Sequence, residues 1–507
     1  MIDIDRADLT LGIVGTGAMG RGIAQIAAQA GLIVRLLDSR AGAAAHAKEE
    51  LVRTFDMLAG KGRMTADAAR HAGERLHVID AMDKLAGSHI IIEAIVEDLS
   101  AKQALFAALE SIVGDDCLIA SNTSSLSVTA IASSCKRPGR IGGFHFFNPV
   151  PLMKVVEVIN GVLTEPWVGD ALTKLARRMG HKPVRATDTP GFIVNHAGRG
   201  FGTEALRILQ EGVAQFDTID RILREAAGFR MGPFELMDLT GIDVSHPVME
   251  SIYDQFYQEP RFRPSYLLRQ RYVAGLFGRK AGRGFYSYRD GKQIAVPEPA
   301  IPQGKPMPVW IDAAEVGWRD ALRGLAKAAG WTLEQGDRPG GEALCLVAPL
   351  GDDATTAALA RGLDARRTVA VDMLFGLAGR RSVMTTPVTN PDYLASACSL
   401  LSSDGAKVSR LRDSSGFIAQ RVVAMIVNIG CDIAQQGIAS PEDIDHAVQL
   451  GLGYPNGPLA LGDALGPARI LKILESLSEH TRDPRYRPSP WLIRRARLGI
   501  SLRTTEQ

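Results

Sequence analysis

At 507 residues, with 46% hydrophobic and 22% charged side chains, the chain is long enough for several cores. A formal net charge of +2 leaves no surplus of positive charge for gripping a phosphate backbone, which excludes nucleic acid as the main partner. The five cysteines are widely spaced, with no C-x-x-C and no zinc-type pairing with histidine, and no apolar run approaches the roughly 20 residues that span a bilayer; the expectation is a cytoplasmic protein without metal, disulfides or membrane anchor.

The first 190 or so residues alternate β-branched runs with longer helical patterns: LTLGIVG, then IAQIAAQAG, then IVRLLD, and later HIIIEAIV and DDCLIASN. That rhythm predicts a parallel sheet covered by crossover helices, an α/β domain of Rossmann type over 1–187. From DTPGFIVN at 188 the pattern changes to long helical segments punctuated by Gly and Pro, closing at GRKAGRGFYSY, which predicts an all-α domain over 188–290. The stretch VPEPAIPQGKPMP favours extended backbone and marks a linker over 291–306. Short strand candidates come next, PVWID, ALCLVAPL, TVAVDMLF and RSVMTTP, predicting a truncated α/β remnant over 307–407.

The last segment, 408–507, repeats the helical one. DSSGFIAQ at 413 echoes DTPGFIVN at 188, and an offset of 225 aligns 188–241 with 413–466 without a gap, 16 of 54 pairs being identical. TIDR falls on DIDH, and GPFELMDLTG on GPLALGDALG. After a one-residue deletion PRFRPSYLL matches PRYRPSPWL. The remnant ahead of this copy contains no G-x-G-x-x-G.

Three stretches carry chemistry. In LTLGIVGTGAMGRGIAQIAAQAG, Gly15, Gly17 and Gly20 form G-x-G-x-x-G directly after a strand and at the start of a helix. Gly15 permits the tight turn, Gly17 lets a pyrophosphate approach the backbone, and Gly20 allows close helix–strand packing. Asp38 ends the next strand, where a carboxylate accepts bonds from both adenosine ribose hydroxyls and repels a 2′-phosphate, favouring NAD; Arg40 is the one nearby residue that speaks for NADP.

The polar loop Asn122, Thr123, Ser124 and Ser125 lies just beyond a strand and reads either as a helix cap or as a ligand loop. In GGFHFFNPVPLMKVVEVI, His145 and Asn148 leave a strand toward a Pro-locked turn. A histidine among apolar residues is ordinarily a core residue. Glu157, however, sits in the β-branched run KVVEVI, where an unpartnered charge is costly to bury. A carboxylate held against an imidazole fixes its tautomer, making an acid/base pair. With no G-x-S-x-G elbow and a nucleotide motif in the same domain, a base beside NAD suggests alcohol oxidation. In the repeat neither residue recurs: Asp372 stands roughly in place of His145, Ser382 at Glu157 and Gln420 at Asn195, so one active site per chain is expected.

Residues 8 to 290, through GIVGTGAMG, IIEAIVED, ASNTSSL, HFFNPVPLMKVVEVI, DTPGFIVN, GPFELMDLTG and GRKAGRGFY in order, resemble the NAD-dependent L-3-hydroxyacyl-CoA dehydrogenases. The resemblance implies His145 as the base for the substrate 3-hydroxyl, Glu157 as its orienting carboxylate, and Ser124 and Asn195 as hydrogen-bonding partners of the reacting oxygen and thioester region. It implies further NAD contacts from Glu97, Lys102, Asn148 and Lys280, and a weaker match of Lys61 to the lysine that faces the CoA phosphates.

Family members of this length with a duplicated helical domain oxidise 3-hydroxybutyryl-CoA or 3-hydroxyadipyl-CoA, which implies an acyl-CoA substrate and a place in fatty-acid or phenylacetate catabolism. The resemblance also implies an intrachain pseudo-dimer of helical domains, with further homodimerisation left open. Two competing expectations are a dehydrogenase of a free hydroxy or sugar acid on the same fold, and a non-catalytic NAD-binding protein.

Overall fold

The computed structural model describes residues 2–506, which cluster into two compact units. The first joins the chain up to His196 with the later segment Gln436–Leu452. The second joins Ala197–Gln435 with the chain from Gly453 onward.

The first unit is built on eight strands: β1 (Thr10–Val14), β2 (Ile33–Leu37), β3 (Leu76–Val78), β4 (Ile90–Glu93), β5 (Leu118–Ser121), β6 (Ile141–Phe146), β7 (Val155–Asn160) and β8 (Lys182–Thr187). They lie in the order β3-β2-β1-β4-β5-β6-β7-β8. β1, β4 and β5 are buried along their whole length, as strands covered on both faces must be. One core forms beneath the Ala18–Gln29, Ala43–Gly60 and Pro166–Arg178 helices around Leu11, Leu36 and Phe144; the other forms beneath Leu99–Glu110 around Ile91, Phe106 and Ile119.

One pair departs from the wholly parallel rhythm: β6 and β7 run antiparallel. The turn over 147–154 is too short for a crossover helix, so the chain reverses. This reversal puts His145 directly opposite Glu157 in the ladder.

The edge strand β8 is not left open. The amide of Thr187 donates to the Ile438 carbonyl at 3.0 Å, and the amide of Arg185 donates to the Asp443 carboxylate at 3.2 Å. Residues 436–452 lie within the second helical copy in sequence, whose repeat pattern marks one block over 408–507. Covering this edge gives them to the first unit.

The second unit holds a small hairpin, β9 (Tyr288–Arg289) and β10 (Lys292–Gln293), and a five-stranded sheet: β11 (Val309–Ala313), β12 (Leu344–Ala348), β13 (Thr368–Val371), β14 (Arg381–Thr385) and β15 (Val408–Leu411). In β11 to β15 the pairings run parallel, parallel, antiparallel, parallel, the same succession as β4 to β8. The remnant is therefore the second half of a Rossmann-type sheet, and it lacks any counterpart of β1, β2 and β3. Here too the last strand borrows cover from the other copy: Arg412 N–H donates to the Val213 carbonyl at 3.1 Å, the Thr187–Ile438 bond displaced by 225 on both sides.

Backbone detail repeats as well. Gly191 and Phe192 have φ of 77° and 49°, and Gly416 and Phe417 have 73° and 48°. The copies meet along the Arg199–Gln210 and Ala419–Gln435 helices, where a Cβ on Gly200 would lie 3.0 Å from the Ile426 backbone. Around this crossing, buried Arg421 pairs with Glu204 at 2.5 Å and Glu211 at 2.6 Å, and the Tyr486 hydroxyl donates to Glu204 at 2.7 Å. Arg485 of the second copy pairs with Glu204 of the first, and its counterpart Arg261 of the first pairs with Asp432 of the second, so the two equivalent arginines each reach into the other copy.

Removing the guanidinium by Arg421→Met leaves Glu204 and Glu211 under-compensated at this crossing. It is expected to cost about 3 kcal/mol of unfolding free energy, against about 1 kcal/mol for Tyr486→Phe, both measured by urea denaturation.

Candidate active site

The glycine turn joins β1 to the Ala18–Gln29 helix. Gly15, at φ 94°, closes the turn by donating to the Leu37 carbonyl at 2.8 Å, and a Cβ on Gly20 would collide with the Gly15 carbonyl oxygen. Gly17 differs, because a Cβ there would meet nothing within 4 Å. The helix it starts has no side-chain cap and no acidic residue in its first turn, so its N-terminal amides face open space suited to a pyrophosphate.

Asp38 sits beside this turn with its side chain 7% exposed. It accepts from the Thr16 amide and hydroxyl, both at 2.8 Å, and from the Arg40 amide at 3.0 Å. Burial raises the carboxyl's pKa, but these donors outweigh it and hold it below the ordinary value. The side chain of Arg40 is itself turned onto Asp38, at 3.4 Å.

Beyond β4 and β5, a polar network fixes the loop that reads in the sequence as cap or ligand loop. Glu93, which is fully buried, takes Lys102 at 2.6 Å on one oxygen and the Ser121 hydroxyl at 2.7 Å on the other. Lys102 reaches Glu97 at 3.4 Å, and Glu97 accepts from the Thr123 hydroxyl at 2.7 Å and the Ser124 and Ser125 amides at 2.8 and 3.1 Å. Burial opposes ionisation of Glu97, yet Lys102 and these donors keep its pKa below normal. Capping of the next helix falls instead to Ser127 and to Asp188, which accepts from the Val128 and Thr129 amides.

His145 and Glu157 are 5% and 0% exposed. The His145 Nδ1 lies 2.6 Å from one Glu157 oxygen, and the other accepts from the amides of Ile193 at 2.8 Å and Val194 at 2.9 Å. A carboxylate in that position accepts the Nδ1 proton, leaving Nε2 as the ring's lone-pair atom. No bond from the protein takes up Nε2 among the described residues. The ring is flanked by Phe147 and Phe192. One residue on from Val194, the Asn195 side chain donates to the Ser124 carbonyl at 3.1 Å, joining the pair to the loop.

The first unit thus brings together His145, Glu157, Asn195, Ser124, Glu97 and Lys102. Lys102, expected to touch the cofactor, is 1% exposed and enclosed between Glu93 and Glu97, because two carboxylates this close need a cation between them. Asn148 is exposed beyond β6, on a cleft shared with Arg21 and Arg53, and Lys61 is exposed at the end of the Ala43–Gly60 helix. Lys280 belongs to the second unit, where it pairs with Asp243 at 2.5 Å. Sequence reading missed Glu93, Asp188 and the two amides under Glu157. Glu93 was signalled by a charge ending an all-isoleucine run, the same oddity that drew notice to Glu157.

In the second unit the corresponding place holds a different pair. Asp372 N–H donates to the Ser382 carbonyl, placing Asp372 across from Ser382 as His145 is from Glu157. The Gln420 side chain donates to Asp372 at 3.0 Å and to the Pro349 carbonyl at 3.3 Å, the latter bond matching Asn195 to Ser124 at the 225 offset. Burial raises the Asp372 carboxyl's pKa, the Gln420 and Leu374 donors offsetting only part of it.

Residues 10–189 match the family model for the 3-hydroxyacyl-CoA dehydrogenase NAD binding domain. Residues 191–288 and 416–507 both match the model for the 3-hydroxyacyl-CoA dehydrogenase C-terminal domain. Over 491 residues the chain is 38% identical to 3-hydroxyadipyl-CoA dehydrogenase of Escherichia coli K12, covering 96% of this chain and 98% of that one. The chain belongs to the 3-hydroxyacyl-CoA dehydrogenase family.

The solved structure of 3-hydroxybutyryl-CoA dehydrogenase from Escherichia coli K12 agrees with it at a TM-score of 0.84 and 35% identity, over 97% of this chain and 99% of that one. That of (S)-3-hydroxybutyryl-CoA dehydrogenase from Ralstonia eutropha gives 0.54 at 37% identity, with 100% of its length falling on 56% of this chain. As a member of this dehydrogenase family the chain is an NAD-dependent oxidoreductase, and the family's C-terminal domain occurs in it twice. No helix among the described residues is long and apolar enough to cross a membrane.

Gly17→Val fills the open space at the helix N-terminus without backbone strain, its φ being −65°. It is expected to weaken NAD binding roughly tenfold or more while leaving the melting temperature unchanged, as read by calorimetric titration and thermal unfolding.

Proposed function

We propose that the chain oxidises the hydroxyl of an L-3-hydroxyacyl-CoA to the ketone, with His145 as the base and Glu157 as the carboxylate that orients it. The observation that carries this reading is the 2.6 Å contact between Nδ1 and a fully buried carboxylate, with Nε2 left for substrate.

Bound NAD supplies the acceptor for the hydrogen that leaves the substrate carbon with its electron pair. Gly15, Gly17 and Gly20 would admit its pyrophosphate, and Asp38 would accept bonds from its adenosine ribose. His145 Nε2 takes the hydroxyl proton as the carbonyl forms. Glu157 keeps the proton on Nδ1 and so keeps Nε2 basic, and it compensates the positive charge that the ring acquires. Its own second oxygen is fixed by two amides, so the carboxylate does not swing away as that charge appears. Ser124 and Asn195, tied together, hold the reacting oxygen and the thioester region; Glu97 and Lys102 position that loop. Asn148 and Lys280 are assigned to NAD and Lys61 to the CoA phosphates on the family resemblance alone.

The names printed for the Escherichia coli matches favour short or dicarboxylic acyl groups, 3-hydroxybutyryl-CoA or 3-hydroxyadipyl-CoA; a place in fatty-acid or phenylacetate catabolism rests on the family resemblance alone. The Asp372–Gln420 pair, standing in the second copy where the first has His145 and Glu157, supports one active site per chain.

His145→Ala should lower kcat by about 10²–10⁴-fold in an assay of NADH formation, and Glu157→Gln by less. Retention of activity within tenfold of wild type in His145→Ala would remove the assigned base. A panel of the two CoA esters and their free acids, each with NAD and NADP, tests the substrate class: turnover of free acids alone contradicts it.

A further inference from the structure

The Glu157 carboxylate is only as well placed as the two amides that hold it, and those amides come directly after an unusual turn. Gly191 and Phe192 both have positive φ, 77° and 49°, and for phenylalanine that backbone region is strained. A strained turn persists when its surroundings hold it there, so what lies behind Ile193 and Val194 matters to the dyad.

Behind Val194 lies the Pro441–Leu452 helix, which comes from the second helical copy and packs on β7 and β8 within the first unit. Its Gly451 faces the Val194 side chain so closely that an added Cβ would stand 3.0 and 3.1 Å from the two Val194 methyls. The same Cβ would stand 3.7 Å from Val155, two residues before Glu157 on β7 and on the same face of the strand. One point of this helix therefore touches both the strand that carries Glu157 and the residue whose amide grips it. The helix is itself anchored to β8 through Asp443, and the chain just ahead of it through Ile438. Gly451 stands in the last turn of the helix, and a larger side chain there would press on the Val194 methyls. At the 225 offset the pair Val194 and Gly451 becomes Ala419 and Ala226 in the copy that lacks the dyad, so bulk has moved from one partner to the other.

We propose that Gly451, borrowed from the non-catalytic second copy, is a positioning residue for the His145–Glu157 pair, acting through Val194. The second copy then has a task in the reaction although it carries no dyad: it supplies the wall that holds the first copy's carboxylate in line. This rests on the assignment of His145 and Glu157 as the acid/base dyad.

The test is a double-mutant cycle in the full chain, read as kcat and KM for NAD, with the melting temperature of every variant recorded. Gly451→Val is expected to lower kcat roughly tenfold with KM for NAD unchanged, since displacements of a few tenths of an ångström at a reacting pair are costly. In a Glu157→Gln background the same change should cost less than about twofold, because the carboxylate it would misplace is already gone. Should Gly451→Val fail to fold, Gly451→Ala gives a smaller loss, and adding Val194→Ala to it makes the enzyme faster than Gly451→Ala alone. Equal losses from Gly451→Val in both backgrounds, or slower turnover in the Ala pair than in Gly451→Ala, would overturn the positioning role while leaving the dyad intact. Unchanged kcat in Glu157→Gln would overturn the dyad reading itself, and this proposal with it.

Discussion

A carboxylate with no exposure has to be answered by donors on every side, and Glu157 is such a group at the centre of the first unit. One oxygen faces His145 Nδ1 and the other takes two consecutive amides at the start of the Val194–Ala197 helix. Satisfying it requires the antiparallel reversal between β6 and β7, which brings His145 opposite, and the left-handed Gly191–Phe192 turn, which aims the amides. Asn195 comes next in the chain and reaches back to the Ser124 loop. The strand reversal and the turn recur in the second copy, where Ser382 stands at this position; in the first copy they are the frame that lets one buried charge be fully paired.

The loop has a second buried charge of its own. Glu93 and Glu97 share Lys102, and the resulting network fixes Thr123, Ser124 and Ser125. Two charged hubs are thus joined by Asn195. In the second sheet neither the histidine nor its carboxylate partner is present, and Asp372 and Gln420 are bonded to each other in their place.

Much of this was legible in the sequence, and for identifiable reasons. The glycine turn, Asp38, and the His145–Glu157 pair stood out because each places a residue where packing alone would not, and the 225-residue offset exposed the duplication directly. The four strand candidates of the remnant appear as β11 to β14, since short β-branched runs between turn residues leave little choice. Less visible was anything that depends on long-range exchange. That Gln436–Leu452 completes the first unit could not be read from a segment whose local pattern is that of its own helical copy. Lys102 entered only through the resemblance, as an NAD contact; its pairing with Glu93 was not legible, because the two lie on different elements and only folding brings them within 2.6 Å.

The central claim is that Glu157 fixes the His145 ring with its proton on Nδ1 and its lone pair on Nε2. Nitrogen-15 spectra of the histidine side chains, with His145 assigned by comparison with a His145→Gln variant, test this directly. For the neutral His145 ring the prediction is a proton on Nδ1 and none on Nε2 in the wild-type chain, and loss of that preference in Glu157→Gln. A wild-type ring carrying its proton on Nε2, or one whose tautomer is indifferent to Glu157→Gln, would contradict it.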